Sequence, residues 1–275
     1  MTTSPVPSPE TRSEIEEVFG DRLPAPSPAS AREEWRRYAA FLKRPSLVPL
    51  DRASNGVSAV LRMLGLDLMI MLVLIGGISA AAAAGFELPN NVNNSLEPGL
   101  MAIALVVIAA PLMEEIAFRS WLRGHPAVIS VVIILVVGFG AFPAIGFAMQ
   151  GGTAGQIFTL AGPLLAIVGA PMAAYFLLNR EVPALFRRAF PVFFWLSTLG
   201  FALIHLGNYT EGSLAILLPL VLPQFALGTM LGYLRVHHGL AHAIALHAAH
   251  NAILFSLAIA GGLGGETEAF WSAGA

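Results

Sequence analysis

Long apolar runs, separated by short polar or Pro/Gly-containing breaks, make up most of the chain after residue 56. Seven of these runs approach the roughly 20 residues that an α-helix needs to cross a bilayer. They cover residues 57–85, 99–118, 126–149, 157–178, 192–206, 213–234 and 240–260. The runs are continuously apolar rather than alternating, which argues against a transmembrane β-barrel. The pattern predicts an all-α, polytopic transmembrane helix bundle of about seven spans, within a range of six to eight.

The first 56 residues have a different, aqueous character. Residues 1–30 are rich in Pro and Ser without an apolar run, which predicts disorder and argues against a signal peptide. Residues 31–43 can form an amphipathic helix with Trp35, Tyr38, Ala39 and Leu42 on one face. This helix either lies flat on the inner membrane surface or is a solvated lead into the first span. We therefore divide the chain into a polar cytoplasmic tail, 1–56, and a transmembrane domain, 57–275.

Composition supports this division. Only 12% of the residues are charged and 56% are hydrophobic, and the mean hydropathy is +0.72. These values exclude a disordered, collagenous or nucleic-acid-binding protein and make the lipid bilayer the expected environment. The absence of cysteine excludes disulfide bonds, thiolate metal sites and cysteine nucleophiles.

The cationic residues predict the orientation of the spans. Nine of the 15 Lys and Arg residues lie within residues 1–62. The remaining six follow the second, fourth and sixth spans, at Arg119, Arg123, Arg180, Arg187, Arg188 and Arg235. The opposite loops carry glutamates and no Lys or Arg. The positive-inside rule therefore places the N-terminus in the cytoplasm and the C-terminus outside, in the cytoplasmic (inner) membrane if the host is bacterial.

Ionisable groups at membrane depth are the candidates for chemistry, because burying each one costs several kcal/mol. They are Asp67, Glu114, Glu115, Arg119, His205, His242, His247 and His250, with the polar Asn251 beside them. Glu115 and Arg119 have the i,i+4 spacing of an ion pair on one helical face, whereas Glu114 points about 100° away and has Phe118 as its i+4 neighbour. We interpret Glu115 and Arg119 as mainly structural and Glu114 as the reactive carboxylate. An ordinary charge cluster at a helix end is the alternative.

The last apolar run places His247 and Asn251 one above the other on a helix, with His250 close to that face. His242 points away, and we assign it to packing or to the inner interface with His237 and His238. Phe201 precedes His205 by one turn. Taken singly, each histidine could equally be an interhelical hydrogen-bonding residue.

Three short patterns together resemble a known family. Residues 114–119 read EEIAFR, residues 201–205 read FALIH and residues 247–251 read HAAHN. They are similar to the EExxxR, FxxxH and HxxxN motifs of the CPBP (Abi) family of intramembrane proteases. That family includes CAAX prenyl endopeptidases of the Rce1 type and bacteriocin-processing or immunity proteins. The resemblance covers roughly residues 100–257 and leaves the tail and the first span outside it.

The resemblance implies an intramembrane endopeptidase that cleaves a peptide or membrane protein by glutamate-activated water. Glu114 corresponds to the general base and His205 to the histidine that holds the water. His247 and Asn251 correspond to the pair that stabilises the oxyanion. Glu115, Arg119, Phe118 and Phe201 occupy supporting positions in the motifs.

Whether a metal takes part stays open in the sequence. Glu114, His205 and His247 form a two-His, one-Glu set that suits Zn²⁺ with an open fourth position, yet the same groups can act without metal. HExxH is absent, so ligands would come from three helices. We favour the metal-free form. A non-catalytic scaffold or immunity relative and a His-ligated metal or haem membrane protein are the alternatives.

The expected depth of His205 in the membrane does not match the depths of Glu114 and His247. A helix starting at Arg188 would carry His205 about 25 Å inward at 1.5 Å per residue, deeper than Glu114 or His247. We therefore expect residues 188–194 to lie along the interface and the spanning helix to begin near Trp195, because Pro191 suits a first helical turn.

Overall fold

The computed structural model describes residues 27–48, 50, 55–95, 99–149 and 152–262. The sequence predicts disorder for residues 1–30, of which residues 1–26 lie outside these ranges. Residues 27–30 are described, and Arg62 donates to the carbonyl oxygens of Pro28 and Ala29 at 2.8 and 3.1 Å. The helices within them are α1 (Ala31–Lys43), α2 (Gly56–Ala83), α3 (Leu100–Arg123), α4 (Pro126–Ala148), α5 (Thr153–Leu177), α6 (Ala184–Asn208), α7 (Leu214–Leu220), α8 (Leu222–His237) and α9 (Leu240–Gly262).

Six of these helices, α2 to α6 and α9, are long and apolar enough to cross a membrane. The pair α7 and α8 forms a seventh candidate, bent by 45° at Val221. Pro219 and Pro223 flank the bend, and each removes a backbone donor from the helical hydrogen-bond ladder. The predicted all-α bundle of six to eight spans is confirmed, and the orientation of its termini stays a prediction.

The expected start of the fifth span is wrong. Helix α6 runs continuously from Ala184, with Pro191 inside it, rather than beginning near Trp195. Residues 188–194 therefore belong to the spanning helix. A buried aromatic surface accompanies them, because Phe190 and Phe194 are both fully buried.

The chain forms two compact units. One contains the residues up to Arg119 and those from Phe190 onward. Helix α8 is the most buried element of this unit and packs against α2 and α9. Gly239, at φ +102°, ends α8, and its amide donates to Leu234 O at 3.0 Å. This left-handed turn, which glycine adopts at little cost, lets the chain reverse directly into α9.

The other unit, Ser120–Ala189, contains the closely packed pair α4 and α5. Gly138 and Gly146 of α4 face Gly162 and Gly155 of α5. A Cβ atom on Gly162 would lie 2.5 Å from the carbonyl oxygen of Gly138. Small residues at these positions let the two backbones approach, which is how membrane helices gain packing without a hydrophobic driving force.

Helix α1 has the predicted bounds, 31–43, and Ser30 caps its first turn by accepting from the Glu33 amide at 3.3 Å. Its buried face differs from the expected one. Tyr38 is buried as predicted, but Glu34 and Phe41 are the other buried residues, whereas Ala39 is exposed. The helix packs against α2 and α8, a contact that neither sequence-based alternative included.

Hydrogen bonds explain how α1 buries a carboxylate. The Tyr233 hydroxyl donates to Glu34 Oε1 at 2.6 Å, and Arg62 Nη1 lies 3.6 Å from Glu34 Oε2. The Tyr38 hydroxyl donates to Thr229 Oγ1 at 2.5 Å. Burial by itself raises the pKa of Glu34, but the neighbouring His238 and Tyr233 outweigh it and the pKa is lowered. Burial raises the pKa of Tyr38 to about 12.

Candidate active site

Glu114 lies on α3 and faces two histidines of other helices. Its Oε2 atom is 3.7 Å from His247 Nε2 and 4.0 Å from His205 Nε2. Among the residues that the structure describes, this buried oxygen has no hydrogen-bond partner, although the side chain as a whole is 24% exposed. A buried carboxylate oxygen without a protein partner is costly, so this oxygen is well placed to accept from a water or to bind a cation.

The other ring nitrogen of each histidine determines which atom faces Glu114. His205 Nδ1 is 2.7 Å from the Phe201 carbonyl, and His247 Nδ1 is 3.1 Å from Glu115 Oε1. A carbonyl and a carboxylate only accept, so both Nδ1 atoms donate. In the neutral rings, both Nε2 atoms then carry lone pairs. Three acceptors therefore surround one gap, which suits a species that supplies hydrogens or positive charge.

Glu115 and Arg119 form the ion pair that their spacing predicted. Arg119 Nη1 donates to Glu115 Oε1 at 3.0 Å, and both side chains are 0% exposed. Gly228 on α8 provides the space for this guanidinium, since a Cβ there would lie 3.1 Å from Arg119 Nη2. Because Glu115 Oε1 also accepts from His247, the pair orients a histidine as well as neutralising its own charge.

Phe201 packs at the centre of these groups. The Arg119 guanidinium lies 3.9 Å above its ring centroid, a cation–π contact. The rings of His205, His247 and Phe118 contact Phe201 edge-on, at centroid distances of 4.9, 5.5 and 5.8 Å. A fully buried aromatic ring in this position fixes both histidines and excludes water from that side.

Asn251 lies one turn beyond His247 on α9, as predicted, but its side chain donates to the backbone. Its Nδ2 atom donates to Val106 O at 2.8 Å. Val106 belongs to Ala104–Ala109, a π-helical turn of α3 that the sequence did not reveal. This hydrogen bond joins α9 to the helix that carries Glu114. It uses one of the two N–H bonds of the Asn251 amide, so one N–H bond remains for the oxyanion that the sequence predicted.

The family model named "Type II CAAX prenyl endopeptidase Rce1-like" matches residues 96–253, more than half of the chain. The chain belongs to this Rce1-like family. No curated protein and no solved structure matches the chain. The match contains Glu114, His205, His247 and Asn251, and it makes the protein an integral membrane protease. Helices α1 and α2 lie outside it.

In this Rce1-like site, the types of ligand atom are typical of a zinc site, but the distances between them are longer than in one. Two Nε2 atoms oriented by bonds at Nδ1, with a carboxylate, are a common zinc ligand set. Ligands on a tetrahedral zinc lie roughly 3.3 Å apart, shorter than the 3.7 and 4.0 Å measured from Glu114 Oε2. Among the described residues, no three His, Asp or Glu side chains form a metal-binding group as they stand. A water molecule bridges acceptors up to roughly 5 Å apart, so these distances suit water.

Asp67 and His250 of the Rce1-like protein form a pair that the sequence did not identify. His250 Nδ1 lies 2.7 Å from Asp67 Oδ2, and both side chains are buried. The apolar run around Asp67 indicates an ionisable residue at membrane depth, but nothing in the sequence indicates its partner, which is 183 residues away. His242 lies outside the Glu114 gap, as expected, where Nδ1 donates to His238 O at 2.7 Å.

Proposed function

We propose that the protein hydrolyses a peptide bond of a membrane-associated protein or peptide with a water that Glu114 activates. The observation that carries this proposal is the gap between Glu114 Oε2 and the Nε2 atoms of His205 and His247. A water in this gap donates one hydrogen to Glu114 and the other to a histidine. Its oxygen lone pairs then remain free to attack a carbonyl carbon.

The reaction balances with these residues. The water oxygen forms a bond to the carbonyl carbon, and Glu114 takes the water proton. His247 takes up one proton from solvent at Nε2 before the reaction and keeps it throughout, so His205 accepts a hydrogen bond from the second water hydrogen while His247 Nε2–H and the second N–H bond of Asn251 donate to the oxyanion. The Glu115 carboxylate, 3.1 Å from His247 Nδ1, compensates the positive charge of that ring. Glu114 then gives its proton to the leaving amine as the C–N bond breaks. Arg119 holds Glu115 in place throughout.

Zinc is the alternative form of this hydrolase. Glu114, His205 and His247 would hold it, and when bound it would polarise the carbonyl and acidify a water. The observation that favours it is the orientation of both histidines through Nδ1, which is typical of metal-bound imidazoles. Haem has less support, because both histidines face one carboxylate oxygen within 4.0 Å rather than a space for a porphyrin.

Quantitative proteomics of membranes from cells with the wild-type protein or a Glu114→Gln copy tests the proposal. Glu87→Gln, the same change at an exposed glutamate, is the matched control. Cleavage products should disappear with Glu114→Gln and persist with Glu87→Gln. A peptide ending in a prenylated CAAX sequence, which the family description names, is one defined substrate to include. Identical product profiles for wild type and Glu114→Gln would favour the non-catalytic relative.

A further inference from the structure

Asp67 and His250 form a buried pair that the proposed mechanism does not use. Asp67 lies on α2, outside the residues that the family model matches, and is 0% exposed. Its Oδ2 accepts from His250 Nδ1 at 2.7 Å, while Oδ1, among the described residues, has no hydrogen-bond partner. A carboxylate held at membrane depth with one hydrogen-bond partner is expensive to bury, and such groups commonly mark functional sites in membrane proteins.

The position of His250 on α9 indicates a role for this pair. His247, His250 and Asn251 lie within little more than one helical turn. Each makes a hydrogen bond to a different group: His247 to Glu115, Asn251 to the Val106 carbonyl and His250 to Asp67. The first two bonds join α9 to α3, and only the third of these bonds joins it to α2. Helix rotation about its own axis is therefore fixed from two directions.

We propose that Asp67 is a positioning residue for the reaction. By holding His250, it sets the rotation and register of α9 and thereby aims His247 Nε2 at Glu114. The first span is then part of the catalytic apparatus, although the motifs lie elsewhere. This inference rests on the proposed function for its kinetic consequence, but its geometric consequence does not require cleavage.

Met71 provides a matched control for this idea. It lies one turn beyond Asp67 on α2, is equally buried and packs against Leu254 of α9. Met71→Ala loosens the same α2 and α9 interface without removing the hydrogen bond to His250. A difference between the two variants therefore reports the bond rather than general packing.

Kinetics on a defined peptide substrate give the first test. Asp67→Ala should lower kcat on the order of 10- to 100-fold with KM little changed. A misaligned His247 weakens stabilisation of the transition state, whereas it contributes little to substrate binding. Asp67→Asn, which still accepts from His250, should restore most of kcat. Met71→Ala should lower thermal stability but leave kcat of the folded protein unchanged. Unchanged kcat in Asp67→Ala, or an equal loss in Met71→Ala, would overturn the proposal.

Nitrogen-15 NMR of histidine-labelled protein in a membrane mimic gives the second test. The His250 ring should show a proton on Nδ1 in the wild type. Asp67→Ala should shift the signals of both His250 and His247, whereas Met71→Ala should leave the His247 signals in place. Unmoved His247 signals in Asp67→Ala refute positioning by Asp67. Because this spectrum requires no turnover, its result is separable from the Glu114→Gln test of function.

Discussion

The two adjacent glutamates should respond in opposite ways to the same chemical change. Glu114→Gln removes a carboxylate whose Oε2 has no hydrogen-bond partner among the described residues, so folding loses little. Glu115→Gln removes the charge that faces Arg119 in a pair with no solvent exposure. Activity should therefore disappear in Glu114→Gln, whereas Glu115→Gln should chiefly lose stability.

The magnitude for Glu115→Gln follows from the geometry of the pair. At 3.0 Å and an effective dielectric constant of about 20, the Coulomb attraction is roughly 5 kcal/mol. The glutamine oxygen still accepts from Arg119, which recovers about 1 kcal/mol. A net loss of about 3–5 kcal/mol is typical of breaking a buried ion pair. That is a large part of the free energy of unfolding of an ordinary domain, about 5–15 kcal/mol.

Thermal unfolding in detergent and cleavage per folded molecule separate the two effects. Glu114→Gln should unfold at the wild-type temperature without detectable cleavage. Glu115→Gln should give a low yield and an unfolding temperature clearly below the wild type, with cleavage remaining in the folded fraction. Glu87→Gln should match the wild type in both measurements. A stable, inactive Glu115→Gln beside a destabilised, active Glu114→Gln would show that the two roles are reversed.

Three further predictions concern topology, metal and pH. A reporter fused after Ala275 should be external and one fused after Arg180 internal; two reporters on the same side would contradict the predicted orientation. Cleavage should survive metal chelators, and a loss that Zn²⁺ restores would favour the zinc form. The docking of α1 should weaken outside a neutral window. Because the pKa of Glu34 is lowered, its carboxylate stabilises docking at pH values above 4.5, the usual pKa of this group. That contribution is lost as the pH falls through the folded-state pKa. Burial raises the pKa of Tyr38 from 10.0 to about 12, so the neutral hydroxyl stabilises docking at pH values below 10.0. That contribution is lost as the pH rises towards 12. A fluorophore on Ala40→Cys, in a chain without native cysteine, should report both losses, and a signal constant from pH 2 to 12 would refute the argument.

Features set by neighbouring residues could be predicted from the sequence. The apolar runs specify membrane helices, because a chain in hydrocarbon must satisfy its backbone groups within itself. The ion pair of Glu115 with Arg119 follows from i,i+4 spacing alone, and so does the alignment of His247 with Asn251. The bounds of α1 follow from its amphipathic pattern of apolar and charged residues. The three motifs identified the family, since their residue types carry the chemistry.

Features that depend on how helices rotate against each other were decided by the tertiary structure. The continuous start of α6 at Ala184 is one, since packing of Phe190 and Phe194 outweighs the local preference of Pro191. The pairing of His250 with Asp67 is another, because many rotations of α2 and α9 satisfy the same apolar pattern. Residues far apart in sequence meet only once packing selects one rotation, and a buried polar group then requires its partner there.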